Sequence, residues 1–218
     1  MKTIGEAERR YKDMPERGQA VYVMSGLYTS EQIEAIEQEQ SGKHRLATEL
    51  AFETGLSSYE IPSLRPPGVR SADRVSYWDE QLFMGRKKLV PYTVLNAEGE
   101  SRRIAVSEDL ADKIELARLT RPKVFQEGNW RELCGYRIGY GIAWIDSFMR
   151  ASEIALGLSL GVHGLRHAYI LNRFFELMAV GFSRKDRIAI LAIETGMHEP
   201  KIERLLSSPP PEPDRNVS

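Results

Sequence analysis

Residues 29–40, TSEQIEAIEQEQ, place Ile33 and Ile36 on one stripe among charged and polar neighbours, which predicts an amphipathic helix. Thr29 stands where an N-cap belongs, and Gln32 completes a capping box. Residues 43–55, KHRLATELAFETG, repeat the pattern with Leu46, Ala47, Leu50 and Ala51. Gly55 follows where a helix C-terminus takes left-handed geometry. In LSSYEIPSLRPPG, Pro62 allows only a short helical turn, and Pro66-Pro67-Gly68 ends it.

The period then changes. KKLVPYTVLNAEGESRRIAVS, residues 87–107, alternates and is rich in Val, Ile, Tyr and Thr. Asn96 to Ser101 supply a turn, so the stretch predicts a β-hairpin. Ser107 caps a helix over SEDLADKIELARL, with acids in its first turn and bases later. Residues 119–135 mix types without a period and are expected to form a loop. YGIAWIDSFMRASEIALG predicts a helix with Ile142, Ile145, Phe148 and Met149 facing inward. A long buried helix is expected over 164–180, and another over SRKDRIAILAIETG with Ser183 and Asp186 as its capping pair. Residues 1–28 read as an arm, 29–206 as the folded domain, and 207–218 as a proline-rich disordered tail. The expected class is mainly α with a small antiparallel β-sheet (α+β).

Composition narrows the function classes. The 218 residues carry 30 Lys and Arg against 31 Asp and Glu, a formal net charge of -1. Any nucleic-acid contact must therefore come from a local patch. Cys134 is the only cysteine, which excludes a disulfide framework and a cysteine-rich zinc site. No apolar run approaches the roughly 20 residues of a membrane span, and the charged N-terminus lacks the apolar centre of a secretion signal. The expectation is a cytoplasmic protein with no membrane partner and no cofactor.

The densest chemistry lies in GVHGLRHAYILNRFF, residues 161–175. His163, Arg166 and His167 sit at the mouth of an apolar run. A helix start already favours an anion, and a guanidinium three residues on adds a two-pronged grip on phosphate oxygens. His167, one step further, is expected to turn toward the core or a backbone carbonyl. A helix-capping His beside a salt-bridged Arg fits the same spacing. A zinc site from His163, His167 and His198 is disfavoured, since Gly164 stands where a metalloprotease helix carries its glutamate base.

The order of segments resembles the catalytic domain of the tyrosine recombinases, the phage integrase family. HGLRH, residues 163–167, resembles that family's HxLRH box, in which the His and Arg bind the scissile phosphate. ETGLSSYEIPSL, residues 53–64, resembles its TGLRxxELxxL box. The hairpin running into RRIAVSEDLA, and the helix SRKDRIAILAIETGMH, follow in the family's order. The likeness spans about residues 28–206 and implies a tyrosine-recombinase catalytic-domain-like fold.

The departures fall on the groups that do the chemistry. Ser57 stands at the place of the family's first arginine, and Ala97 or Glu98 at that of its lysine. His198 is one residue late for the third box, or Met197 holds that place. Counting nine residues past His198 reaches Ser207 rather than the nucleophilic tyrosine, and no tyrosine follows Tyr169. Without that nucleophile no covalent phosphotyrosyl link can form. The resemblance therefore implies a protein that holds double-stranded DNA without cutting it, regulatory or accessory on a plasmid, phage or integrative element. With about 28 residues before the first helix, a monomer is expected to grip one face of the duplex. The expected contacts are His163, Arg166 and His198, flanked by Arg86, Lys87, Lys88, Arg102 and Arg103. Two alternatives stay open. One is a recombinase subunit active only with a partner in trans, and the other a protein-interaction module, such as a homo-oligomer, that has lost DNA binding.

Overall fold

A computed structural model describes residues 27–66, 68–69, 80–96, 99–127 and 130–207. Most of the expected arm (1–26), the tail beyond Ser207, and Ala97 and Glu98 lie outside the described residues. The described chain is a mixed α+β protein with seven α-helices and two separate two-stranded antiparallel sheets.

Local chemistry sets most element ends. Helix α1 (Ser30–Gln38) begins with both halves of the Thr29–Gln32 capping box formed. Helix α2 (Gly42–Thr54) stops at Gly55, whose φ of 66° suits a residue without a Cβ. A tyrosine ring presses there too: a Cβ on Gly55 would lie 2.6 Å from Tyr169 Cδ1. A single 3-10 turn over Ile61–Ser63 then carries Pro62.

Strands β1 (Leu89–Leu95) and β2 (Ser101–Ser107) form the expected hairpin, registered from Leu89 opposite Ser107 to Leu95 opposite Ser101. Arg65 bridges to Thr93, so the end of the 3-10 segment lies against the sheet. Ser107 caps α3 (Glu108–Leu116), as the sequence predicts.

Residues 119–135 are not a loop. They belong to a second hairpin, β3 (Arg118–Glu127) with β4 (Trp130–Tyr136). The register slips between Arg118 and Lys123, the interval that holds Pro122. A proline cannot donate to a ladder, and the slip erases the alternation that marks a strand in sequence.

Helix α4 (Gly141–Leu156) forms where expected, but on a rotated face. Ile142 and Met149 are exposed, while Trp144, Phe148 and Ala151 are buried. The indole decides the rotation: Trp144 Nε1 donates to Thr48 Oγ1 at 3.1 Å, and that hydroxyl donates to Gln40 Oε1 at 2.7 Å. A buried indole needs such a partner.

Helices α5 (His163–Val180), α6 (Arg184–Thr195) and α7 (Glu199–Ser207) complete the body. Ser183 accepts from the Asp186 N–H, closing the expected cap of α6. The core has two parts. The larger gathers side chains from α1 to α4 and the first hairpin, and the smaller is built by α5, α6 and α7. Helix α5 joins them, with Leu165 in the larger part and Tyr169 in the smaller. Tyr28 is buried within the larger part, its ring edge-on to Phe148, so the folded body begins inside the stretch expected to be an arm.

Candidate functional site

Helix α5 opens without a side-chain cap and without an acid in its first turn, so its positive end is not neutralised locally. Gly164 has a packing reason. A Cβ there would lie 2.6 Å from Tyr28 Cε2, so the absent side chain lets the first turn press onto that ring. His163 projects outward and is exposed. His167 is half-buried, and its imidazole is held below the ordinary histidine range, first by burial and then by the charges of His163, Lys201 and Arg166. Lys201, from the first turn of α7, thus joins the cationic group at this helix start. Nothing in the recombinase resemblance pointed to it.

Arg166 sits at the seam of the two cores, with 19% of its side chain exposed. It donates to the Thr195 carbonyl through Nη2, which also lies 3.5 Å from Glu60 Oε2. Glu60 comes from the segment after α2 and is buried. Arg102 reaches it from β2, donating from Nε to Glu60 Oε1 at 2.7 Å and from Nη1 to the Glu194 carbonyl. Ser57 donates both its N–H and its hydroxyl to Glu60 Oε2, at 2.8 and 2.9 Å.

The charges here do not balance. One carboxylate faces two guanidiniums. Burial would raise the Glu60 carboxyl, but Arg102 and Arg166, with the hydrogen bonds from Arg102 and Ser57, hold it below the usual range. Burial lowers Arg166, with Glu60 opposing and Arg102 adding to the shift. Arg102 Nη2 and Arg166 Nε are buried without a hydrogen-bond partner among the described residues. A buried excess of positive charge with orphaned donors is costly.

The sequence-predicted cations divide into two groups. His163, Arg166 and the segment leading to His198 come together, because Arg166 holds Thr195 three residues ahead of His198. His198 is exposed, and its carbonyl accepts from the N–H groups of Lys201 and Ile202 as α7 begins. Lys87 and Lys88, just before β1, and Arg103, on β2, are exposed.

Arg102 and Arg86 are internal. Arg102 is 6% exposed. Arg86 binds Glu176 at 2.8 Å, donates to the Glu53 carbonyl and lies over the Tyr169 ring. Alternation hid the burial of Arg102, since its neighbour Arg103 points out as an ordinary hairpin cation would.

Behind this group runs a second buried network. Glu194 accepts from Arg173 Nε and Nη2 at 2.9 Å each, from the Tyr169 hydroxyl at 2.9 Å, and from the Phe83 N–H at 2.8 Å. Tyr169 is the last tyrosine of the chain. Its phenol is pushed well above the ordinary range by burial and by Glu194, so it stays protonated and occupied. Ser207, where the resemblance would place a nucleophile, ends α7 and is exposed.

Among the described residues, no group of three or more His, Cys, Asp or Glu is placed to hold a metal ion, and no helix is long and apolar enough to cross a membrane. Fold and site together define a mixed α+β protein with a cationic helix start over a buried ion cluster. No protein-family model matches the chain, and no curated protein sequence matches it.

Proposed function

We propose that this chain binds the phosphate backbone of double-stranded DNA at the start of α5 without cleaving it, as a catalytically degenerate relative of the tyrosine recombinases with an accessory or regulatory role on a mobile element. The observation that carries the reading is the approach of Arg166 to Glu60, 3.5 Å apart. It joins two segments, 53–64 and 163–167, that resemble two boxes of one family and lie far apart in sequence. A family's boxes need not meet in an unrelated chain. Chemistry supports the same reading, because the cluster has more guanidinium than carboxylate, and His163, Lys201 and Arg166 all lie close enough to His167 to depress its imidazole. The absence of cleavage follows from the serines at 57 and 207 and from the buried Tyr169 hydroxyl.

Anisotropy of a labelled duplex, titrated across salt, tests the reading. The logarithm of affinity is expected to fall linearly with log salt, by about 0.9 per phosphate contacted. His163→Ala with Lys201→Ala, both at exposed positions, should flatten that slope by about one to two and weaken all sequences alike. A duplex that does not bind, or a slope those variants leave unchanged, would overturn it.

One observation favours the interaction-module alternative. Val124 and Leu133, paired across β3 and β4, are 52% and 51% exposed. Sedimentation showing a stable oligomer, together with no duplex binding, would select it.

A further inference from the structure

The second hairpin was unforeseen, and it walls a pocket at the far end of α2. The pocket is about 220 Å³ and lies between the root of β3–β4, the first turn of α2 and the start of α4. Lys43, His44, Lys123 and Arg137 line it, over a floor that includes Cys134 and Tyr140. No Asp or Glu is among its lining residues. Acids and bases are nearly equal in number over the whole chain, so a wall of three full cations and no acid is a local departure.

The cations are also uncommitted. Lys43, Lys123 and Arg137 are exposed, and none forms a side-chain hydrogen bond or ion pair among the described residues. This separates them from Arg65, Arg86, Lys113 and Arg118, each of which holds a carboxylate. Glu132, whose charge reaches Cys134, is tied to Arg65 at 2.6 Å.

The pocket is built rather than incidental. The Gly139 N–H donates to the Lys43 carbonyl at 2.7 Å, and a Cβ at Gly139 would collide with the His44 ring. That contact fixes the loop after β4 on the first turn of α2. Both helices that open here, α2 and α4, lack a side-chain cap and lack an acid in the first turn, so their positive ends add to the side-chain charge.

We propose that this pocket binds a phosphate group, held by Lys43, Lys123 and Arg137 with His44 as a further donor. The pocket is lined from the first turn of α2, whereas Glu60 follows the other end of that helix, which is about 20 Å long, and the two sites share no residue. The two sites can therefore be altered independently, and this proposal does not rest on the DNA reading. The phosphate comes from a small phosphorylated ligand or from a nucleic-acid backbone, and the experiment separates the two.

Inorganic phosphate is titrated into the ¹⁵N-labelled full chain at constant ionic strength, with chloride as the control. Saturable amide shifts are expected over 42–45 and 137–143, with matching movement of the His44 ring resonances. Lys123→Gln with Arg137→Gln, both at exposed positions, should weaken the binding at least about tenfold, each lost charge-assisted bond being worth about that much. A short duplex is then added. If it displaces the phosphate at these amides, the site takes a backbone phosphate; if it does not, the site serves a small phosphorylated ligand. The absence of saturable shifts at these amides, or binding equally strong in the double variant, would overturn the proposal.

Discussion

Arg166 Nη2 stands 3.5 Å from Glu60 Oε2, while Arg102 Nε holds the other oxygen, Oε1, at 2.7 Å. One buried acid thus holds together the segment after α2, strand β2 and the start of α5. Losing it leaves two guanidiniums facing each other. Glu60→Ala is expected to cost about 3–5 kcal/mol, the usual penalty for stripping a buried charge cluster of one partner. Urea denaturation measures it. Lys87→Ala, at an exposed position just before the same hairpin, should stay within about 0.5 kcal/mol.

The same carboxylate gives an acid-dependent stability. Its folded pKa lies below its unfolded value, so the folded state binds fewer protons in that interval. Its contribution is full above the unfolded carboxylate pKa and is lost as pH falls toward the lower folded value. Glu60→Gln should remove this component of the acid limb. Melting curves between neutral pH and pH 3 would show no change of slope if the assignment were mistaken.

Glu37 runs the other way. Burial, with Glu49 adding to it, raises its carboxyl to about 7. The folded state then binds more protons than the unfolded between the ordinary 4.5 and about 7, so this group's contribution falls as pH rises through that window. Glu37→Gln should be more stable than the parent at pH 8 and nearly equal to it at pH 4. A carboxyl titration by ¹³C NMR with its midpoint near 4.5 would contradict the expectation.

Glu194 and Arg173 are both fully buried and meet at 2.9 Å. Truncating Arg173 strips Glu194 of its cation inside the core, at about 3–5 kcal/mol, whereas truncating Glu194 leaves Arg173 its second carboxylate, Glu176 at 3.1 Å, and should cost less. The double variant should lose much less than the sum of the two, because no charge is then left unpaired. A double-mutant cycle giving additive losses would show that the pair is not coupled.

A nicked suicide duplex should leave no covalent adduct on this chain, and Ser207→Ala should change nothing in that assay. Tyr169, the last tyrosine, donates its hydroxyl to Glu194 inside the core. An adduct trapped on any residue would restore the recombinase alternative.

Much of the fold was readable from local chemistry. The Thr29–Gln32 box, the Ser107 and Ser183 caps and the left-handed Gly55 end helices through groups within a few residues of each other, which a linear reading can find. The hairpin β1–β2 alternates in the period of a strand and was found on that basis. The hairpin β3–β4 was missed because Pro122 and a register slip break that period. The facing of α4 was missed because Ile142 and Trp144 are both apolar and only a distant partner, Thr48, chooses between them. Helix α7 was not anticipated, although its first turn brings Lys201 to the candidate site.

The sequence by itself determined where most elements start and stop, their α+β class, the near-neutral charge, and the absence of any tyrosine after Tyr169. It also singled out His163 and Arg166. Only the tertiary structure decided which cations face solvent and which are consumed inside. Arg102 and Arg103 are adjacent and identical in type, yet one is buried against Glu60 and the other exposed. The reason is that a charge's role depends on its nearest opposite charge and on its access to water. Both are set by chain segments many residues away, and no local spacing encodes them.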